Sequence, residues 1–149
     1  MAAAERAAAL TPYRAANPFD WDAALALIHR AFAGMEGRID PPSSLHHFTI
    51  GDLQAGEFWC IGAPPVACVL LTPKQDVLYL GKLAVEPGLT RQGLARALIA
   101  TAETRARALG LPALQLQTRV ELTENHATFL ALGFQEIARL SLKDKMDNQ

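Results

Sequence analysis

The residues from Leu83 to Ile99, LAVEPGLTRQGLARALI, carry the clearest chemical signal in the sequence. A predicted strand passes into a glycine-containing loop, and a helix begins near Gly93. The first turn of a helix has unpaired backbone N–H groups and the positive end of the helix dipole, so it binds phosphate. Small side chains at Gly93 and Ala95 let phosphate oxygens approach these N–H groups closely. The stretch therefore predicts a phosphate site, with Arg91 and Arg96 adding positive charge at its rim.

This stretch resembles the cofactor motif of the GNAT N-acetyltransferase family. The family signature is Arg or Gln, two residues, Gly, one residue, and then Gly or Ala, and residues 90–95 match it as TRQGLA. Thr90 departs from the usual Arg or Gln, and Arg91 partly offsets that loss because most of the cradle is backbone. The preceding LAV of residues 83–85 resembles the family's strand whose exposed backbone pairs with the pantetheine arm of the cofactor.

A second segment, ENHATFLALGF at residues 124–134, resembles the family's late helix, which typically ends in Leu-Gly-Phe. Asn125 matches the asparagine that commonly faces the cofactor. Many relatives carry a Tyr at the position of Phe129, where it protonates the departing thiolate. Because Phe cannot donate a proton, another group or water serves here, or the CoA thiolate leaves unaided.

Together these two segments imply that acetyl-CoA is the co-substrate. The resemblance assigns its contacts to Leu83, Ala84, Val85, Thr90, Arg91, Gln92, Gly93, Leu94, Ala95, Arg96, Asn125 and Phe129.

Acetyl transfer to an amine also needs a neutral nucleophile and stabilisation of the oxyanion. Tyr79 occupies a place where some relatives carry a base, although a Tyr packed in the core is the alternative interpretation. Glu121 is a candidate for orienting the amine, with a solvated loop carboxylate as the alternative. The loop at 34–44 flanks the acyl end in such an architecture, so Arg38 and Asp40 are the substrate candidates there. Their charges suit a substrate that carries both signs.

Hydrophobic periodicity and turn residues predict the elements that position these groups. In chain order they are an edge strand at 10–14, a helix opened by Asn17-Pro18 and running to about Phe32, a short helix from Ser43 or Ser44 to about Asp52, strands at Glu57–Ile61, Val66–Thr72 and Val77–Val85, a helix from about Gly93 to Leu109, a strand at Ala113–Thr118, a helix at Glu124–Leu132 and a strand from Phe134 to about Leu142.

The spacing of these elements predicts an α/β (α+β) fold. Three consecutive strands joined by short turns form an antiparallel meander, whereas the long helix before Ala113 makes the next strand parallel. Together with the family resemblance, this implies a mixed, mostly antiparallel sheet with a central splayed parallel pair and helices on both faces. We expect one domain over residues 1–149, with frayed ends at 1–7 and 143–149.

Composition limits the function classes. The chain has 149 residues, of which 50% are hydrophobic, and a formal net charge of -1, so there is no global electrostatic reason to expect nucleic acid. Apolar runs such as Val66–Leu71 are far too short to cross a bilayer. We therefore predict a cytoplasmic protein with no membrane partner, as a monomer or homodimer.

Cysteine and histidine usage adds little chemistry. Cys60 and Cys68 are too few for a disulfide framework, and buried reduced thiols are favoured over a disulfide or a reactive thiol. No zinc-type ligand spacing is present, so we expect no metal. His29 and the pair His46-His47 are predicted to be surface or capping residues rather than catalysts.

These patterns predict an N-acetyltransferase that moves an acetyl group from acetyl-CoA to a primary amine of a small molecule or peptide. A non-catalytic acyl-CoA binding or sensing module is the alternative, favoured by the missing hydroxyl at Phe129. A Rossmann-type nucleotide-binding domain is a weaker alternative, because no Gly-x-Gly-x-x-Gly follows the first strand.

Overall fold

The predicted meander forms the centre of a mixed sheet. The computed structural model describes residues 11–33, 48–90, 92–117 and 123–135. Within these ranges one five-stranded sheet has its strands in chain order, with β1–β4 antiparallel neighbours and β4 parallel to β5. The strands are β1 (Tyr13–Arg14), β2 (Glu57–Ile61), β3 (Ala67–Lys74), β4 (Val77–Val85) and β5 (Ala113–Leu116). The predicted fold class is confirmed, and the bounds of β2 and β4 are as predicted.

Four α-helices accompany these strands in the described ranges. They are α1 (Trp21–Phe32), α2 (Ile50–Gln54), α3 (Leu94–Ala108) and α4 (Thr123–Ala131). The ends of α3, α4 and β3 differ from the predicted ends by one or two residues. The edge strand β1 is shorter than predicted, because residues 11 and 12 are not part of it.

The predicted start of α1 at Asn17-Pro18 is wrong. Asp20 is the N-cap, and its carboxylate accepts a hydrogen bond of 3.0 Å from the backbone N–H of Ala23. Asn17 instead accepts a hydrogen bond of 2.7 Å from the indole N–H of Trp21. A carboxylate at the N-cap also interacts favourably with the helix dipole, so Asp20 is the better cap.

The predicted start of α2 at Ser43 or Ser44 is also wrong. Phe48 and Thr49 are not helical, and Thr49 caps the helix through a capping box with Asp52. The backbone N–H of Thr49 donates a hydrogen bond of 2.8 Å to the Asp52 carboxylate. Sequence reasoning chose the serines and missed the Thr-x-x-Asp spacing, in which Asp replaces the usual Glu or Gln.

Helices cover both faces of the sheet. On one face, α1 and α2 enclose a core with alternate residues of β2, β3 and β4. This core consists of Ala24, Leu27, Ile28, Leu53, Phe58, Cys60, Cys68, Leu70 and Ala84. The strand residues between these core positions point to the other face of the sheet, which is covered by α3. The ion pair between Glu57 of β2 and Arg105 of α3 lies on this face.

Cys60 and Cys68 lie directly opposite each other on β2 and β3. Both are free and buried, in agreement with the prediction of reduced thiols. Burial raises the pKa of the Cys60 thiol to about 12 and that of Cys68 well above its usual value. Thiols that remain protonated at neutral pH are weak nucleophiles, so these side chains belong to the core.

The described residues fall into two compact units. The first contains the described residues up to 117, and the second contains residues 123–135. In the second unit, Gly133 has a φ of 100° just after α4, and the Phe129 and Phe134 rings lie edge to face at 5.9 Å. Phe134 and Gln135 are not in a strand, so a strand starting at Phe134 is wrong, and its remaining residues lie outside the described ranges. The expectation of one domain stays a prediction.

The described residues contain neither a membrane-spanning helix nor a cluster of metal ligands. No helix among them is long and apolar enough to span a bilayer. In the same ranges, no group of His, Cys, Asp or Glu side chains is arranged to hold a metal ion.

Candidate active site

The strand β4 extends beyond its parallel partner where the phosphate motif begins. The pairing runs from Val77 opposite Ala113 to Leu80 opposite Leu116. In the described part of the chain, residues 81–85 therefore have no strand beside them on that edge. Outward backbone N–H and C=O groups on such an edge can pair with an extended ligand.

A β-bulge lies within this open edge. Two steps along β3, from Cys68 to Leu70, correspond to three steps along β4, so Lys82 and Leu83 together face a single residue of β3. Lys82 has a φ of 51°, a left-handed conformation that is strained for residues other than glycine. The Cys68 thiol donates a hydrogen bond of 3.6 Å to the Lys82 carbonyl oxygen, which stabilises the bulge. Bulges often redirect side chains beside functional sites.

The end of β4 is tied to both neighbouring elements through Glu86. Its backbone N–H donates a hydrogen bond of 2.8 Å to the Val66 carbonyl oxygen, and its own carbonyl accepts one of 2.8 Å from Leu89. Its carboxylate pairs with the Arg30 guanidinium of α1 at 2.7 Å. This pairing lowers the pKa of Glu86. These contacts hold Glu86 in place at the start of the loop that leads to α3, which includes the 3-10 turn Pro87–Leu89.

Gly93 is the N-cap of α3 and has a φ of 83°, in the left-handed region that glycine adopts most easily. It has no side chain to cap the helix, and a Cβ at this position would meet no atom of the described residues within 4 Å. As far as these residues extend, the helix N-terminus is open to an incoming anion. This arrangement fits a pyrophosphate held by backbone N–H groups and the helix dipole.

The predicted cofactor residues contribute in different ways. The side chains of Ala84 and Leu94 are buried in the core, so only their backbone groups are available to a ligand. Leu83, Val85 and Ala95 are half-buried, whereas Gly93 is exposed. The exposed polar residues around the helix start are Thr90, Gln92 and Arg96, and Arg91 lies outside the described ranges.

Tyr79 lies on β4 before the open edge, on the face covered by α1 and α2. It pairs with Thr72, which lies two residues after the core residue Leu70 on β3. Because side chains alternate along a strand, Thr72 and Tyr79 point to the same face as Leu70. Its hydroxyl donates a hydrogen bond of 3.4 Å to the Gln117 side-chain oxygen, and the Lys74 ammonium lies 4.2 Å from its ring centroid. Burial raises the pKa of Tyr79, so the phenol is neutral at physiological pH. It can relay a proton through hydrogen bonds, but it is a poor phenolate base.

Lys82 lies at the bulge in the open edge of β4, and the sequence analysis did not single it out. Its Nζ lies 4.7 Å from the ring centroid of Phe48, which packs against the core beneath α1 and α2. Partial burial lowers the pKa of the Lys82 ammonium, and the negative charge of Asp52 opposes that shift. The sequence feature that could have drawn attention to Lys82 is its position as the one charged residue inside the apolar run VLYLGKLAV of β4.

The remaining predicted residues are not brought to this site by the described structure. Arg38, Asp40 and Glu121 lie outside the described ranges. Asn125 and Phe129 lie on α4 in the second unit, where the Phe129 ring contacts Phe134. Their roles toward the cofactor and substrate stay predictions.

Several known structures with this architecture are acetyltransferases. One is the aminoglycoside N-acetyltransferase AAC(6')-Iy in complex with a bisubstrate analogue. It is 18% identical to this chain with a TM-score of 0.65, and the alignment covers 87% of this chain and 93% of that chain. A GNAT acetyltransferase from Elizabethkingia anophelis with acetyl-CoA bound is 19% identical, with a TM-score of 0.64 and coverage of 86% and 77%. A ribosomal-protein-alanine N-acetyltransferase from Escherichia coli is 24% identical, with a TM-score of 0.64 and coverage of 86% and 79%. No curated protein matches the sequence at a significant level.

The sequence itself matches the acetyltransferase (GNAT) family over residues 19–134, which is most of the chain. The protein therefore belongs to that family, as the motif resemblance predicted. It is an acyltransferase, and its co-substrate is acetyl-CoA.

Proposed function

We propose that this acyltransferase moves the acetyl group of acetyl-CoA to a primary amine of a small molecule or peptide. The proposal is supported by two structural features that follow each other directly along the chain. The open edge of β4 at residues 81–85 leads directly into a loop that ends at the uncapped N-terminus of α3. An extended arm on the first and a pyrophosphate on the second are the two parts of a CoA molecule.

The backbone supplies most of this binding. The pantetheine arm pairs with β4 as an additional strand would, and the pyrophosphate accepts hydrogen bonds from the first turn of α3. The exposed residues Thr90, Gln92 and Arg96, with Arg91, contribute polar contacts at the rim. A backbone N–H near Val85 then faces the thioester oxygen and stabilises the oxyanion that forms on attack.

Proton transfer is assigned to neutral groups. An amine with a pKa near 10 is mostly protonated at pH 7 and must lose a proton before it attacks the thioester carbon. The neutral Tyr79 hydroxyl serves as a hydrogen-bonded relay to water rather than as the base itself. Phe129 has no hydroxyl, so the thiolate of CoA takes its proton from water. Glu121, Arg38 and Asp40 are proposed to orient the acceptor.

The identity of the acceptor is the finer part of the proposal. The similar structures include an enzyme for aminoglycosides and one for the alanine of a ribosomal protein. Both acceptor classes offer a primary amine, which supports amine acetylation as the shared chemistry. The fold alone does not favour one class over the other, since it is common to both.

A matched pair of variants at Gly93 tests the cofactor site. Asn and Asp both tolerate the left-handed conformation and both cap helices, so Gly93→Asn and Gly93→Asp are expected to fold equally well. Only Gly93→Asp places a negative charge against the pyrophosphate. We expect its acetyl-CoA dissociation constant, measured by calorimetry, to exceed that of Gly93→Asn by at least about tenfold, a difference of about 1.4 kcal/mol. Equal affinities in the two folded variants would show that the pyrophosphate lies elsewhere.

Turnover separates catalysis from binding alone. The wild-type protein is assayed with acetyl-CoA and a panel of amines, with release of free CoA thiol as the readout. Amine-dependent release supports the proposal. Tight acetyl-CoA binding without release for any amine would instead support the binding or sensing alternative, which the missing hydroxyl at Phe129 favours.

A further inference from the structure

The Lys82 side chain lies on the same face of the sheet as Tyr79. Its Nζ is 4.7 Å from the centroid of the Phe48 ring, on the side covered by α1 and α2. The helix α3, with the proposed pyrophosphate site, packs on the opposite face. Lys82 is therefore a residue of the open edge of β4 whose side chain lies on the face opposite α3, where an acceptor would reach the thioester without passing α3.

The backbone of Lys82 is fixed in a way that holds this side chain in place. The bulge gives the residue a φ of 51°, and the Cys68 thiol donates a hydrogen bond to its carbonyl oxygen. A strained conformation persists only where surrounding contacts determine it, and such positions cluster at functional sites. Because Cys68 is buried, this contact fixes the bulge from within the core.

The charge of Lys82 is only partly compensated. Asp52 is near enough to favour the ammonium, but it forms no direct ion pair with Lys82, and its Oδ2 accepts the capping-box hydrogen bonds of 2.8 Å and 3.1 Å from Thr49. The Phe48 ring contributes a cation–π contact and no hydrogen bond. In the ranges that the structure describes, no carboxylate forms a direct ion pair with Lys82.

We propose that Lys82 selects acceptors that carry a carboxylate beside the reacting amine. The inference rests on the proposed amine acetylation and names its substrate class. A carboxylate would form a charge-assisted hydrogen bond with the half-buried ammonium, which is stronger than the same contact in open solvent. An acceptor that bears only positive charge would be repelled by Lys82.

The test compares amino acids with their C-terminal amides, which keep the amine and side chain but remove the carboxylate charge. For the wild-type enzyme we expect kcat/KM for the acid to exceed that for the amide by about tenfold or more, as for other hydrogen bonds to charged groups. Lys82→Met should reduce this ratio to about one, mainly by raising KM for the acids. Lys82→Arg should retain part of the preference, and the control Arg107→Gln, at an exposed residue of α3, should retain all of it.

A binding measurement covers acceptors that turn over slowly. The thermal shift of the CoA complex is measured with each acid and its amide, and the acid should stabilise the wild type more than it stabilises Lys82→Met. An unchanged ratio in Lys82→Met, or a wild-type preference for amides, would overturn the role of Lys82 while leaving amine acetylation intact. Absence of turnover and of binding for every amine would instead refute the proposed function and this inference together.

Discussion

Two cationic side chains lie on opposite faces of the sheet and differ in how fully they are paired. Arg105 of α3 donates two hydrogen bonds of 2.8 Å, one to each carboxylate oxygen of Glu57. Lys82 of β4 lies over an aromatic ring, and among the described residues its ammonium has no direct carboxylate partner. Both charges are partly withdrawn from water, but only Arg105 has an equivalent partner.

The contrast indicates which charge is structural and which is available to a ligand. Glu57 accepts a further hydrogen bond of 3.1 Å from the indole N–H of Trp59, and its side chain is only 11% exposed. Its pKa is lowered chiefly by the hydrogen bond from Arg105. A bidentate guanidinium–carboxylate pair of this kind gives both carboxylate oxygens a charged partner, so it stabilises the packing of α3 on the sheet. The ammonium of Lys82 still has capacity for an anion.

The largest effect is expected for Arg105→Met, which leaves the Glu57 carboxylate buried without its partner. Removing one member of a fully buried pair destabilises by 3–5 kcal/mol, and the 28% exposure of Arg105 reduces this to about 2–3 kcal/mol. The free energy of unfolding from urea titration provides the measurement. The control Arg107→Met removes an exposed charge from the same helix and should change stability by less than about 0.5 kcal/mol.

The double variant Glu57→Gln with Arg105→Met sharpens the same comparison. It removes the unpaired charge, so part of the lost stability should return. If Arg105→Met and Arg107→Met were equally mild, the pair on the α3 face would be no more structural than Lys82, and the contrast between the faces would fail.

An intermediate effect is expected in the pH dependence of stability. The pKa of Glu57 is lower in the folded protein than its ordinary value of 4.5, so the stabilisation by this pair is fully present above that value. It is lost as the pH falls through the lower, folded pKa. We therefore expect the wild type to lose stability more steeply than Glu57→Gln below about pH 5 in thermal melts. Parallel curves for the two proteins would show that Glu57 titrates normally.

Local patterns in the sequence were sufficient for most of the sheet and for the start of the helix α3. The strand bounds of β2 and β4 follow from apolar runs that end at turn residues, and both reappear in the structure. The position of Gly93 could also be predicted, because a glycine between a strand and a helix is a local feature. The fold class followed from these elements, from the long connection through α3 and, for the splayed parallel pair, from the family resemblance.

Features that depend on register or on competing side chains could not be predicted in this way. The bulge at Lys82 is visible only once β3 and β4 are paired, since it consists of one extra residue in that register. Several polar residues near the starts of α1 and α2 could have served as caps. In the structure Asp20 caps α1 through a hydrogen bond with Ala23, and Thr49 caps α2 through hydrogen bonds with Asp52. The sequence analysis therefore predicted the turn from strand to helix at Gly93 but did not single out Lys82, the charge that we propose gives the site its selectivity.

The smallest effect is expected for the stability of Lys82→Met, although the substitution is of the same kind as Arg105→Met. It removes a cation–π contact, which is worth about 0.5–1 kcal/mol at exposed sites and more when desolvated, but it also removes a charge that burial disfavours. Methionine keeps a side chain of similar length over the Phe48 ring, so the apolar packing is largely retained. The two changes oppose each other, and the free energy of unfolding should change by less than about 1 kcal/mol in the same urea titration. A loss as large as that for Arg105→Met would mean that Lys82 is bound into the fold as firmly as Arg105. Its charge would then be structural, and the two faces of the sheet would not differ in the way proposed.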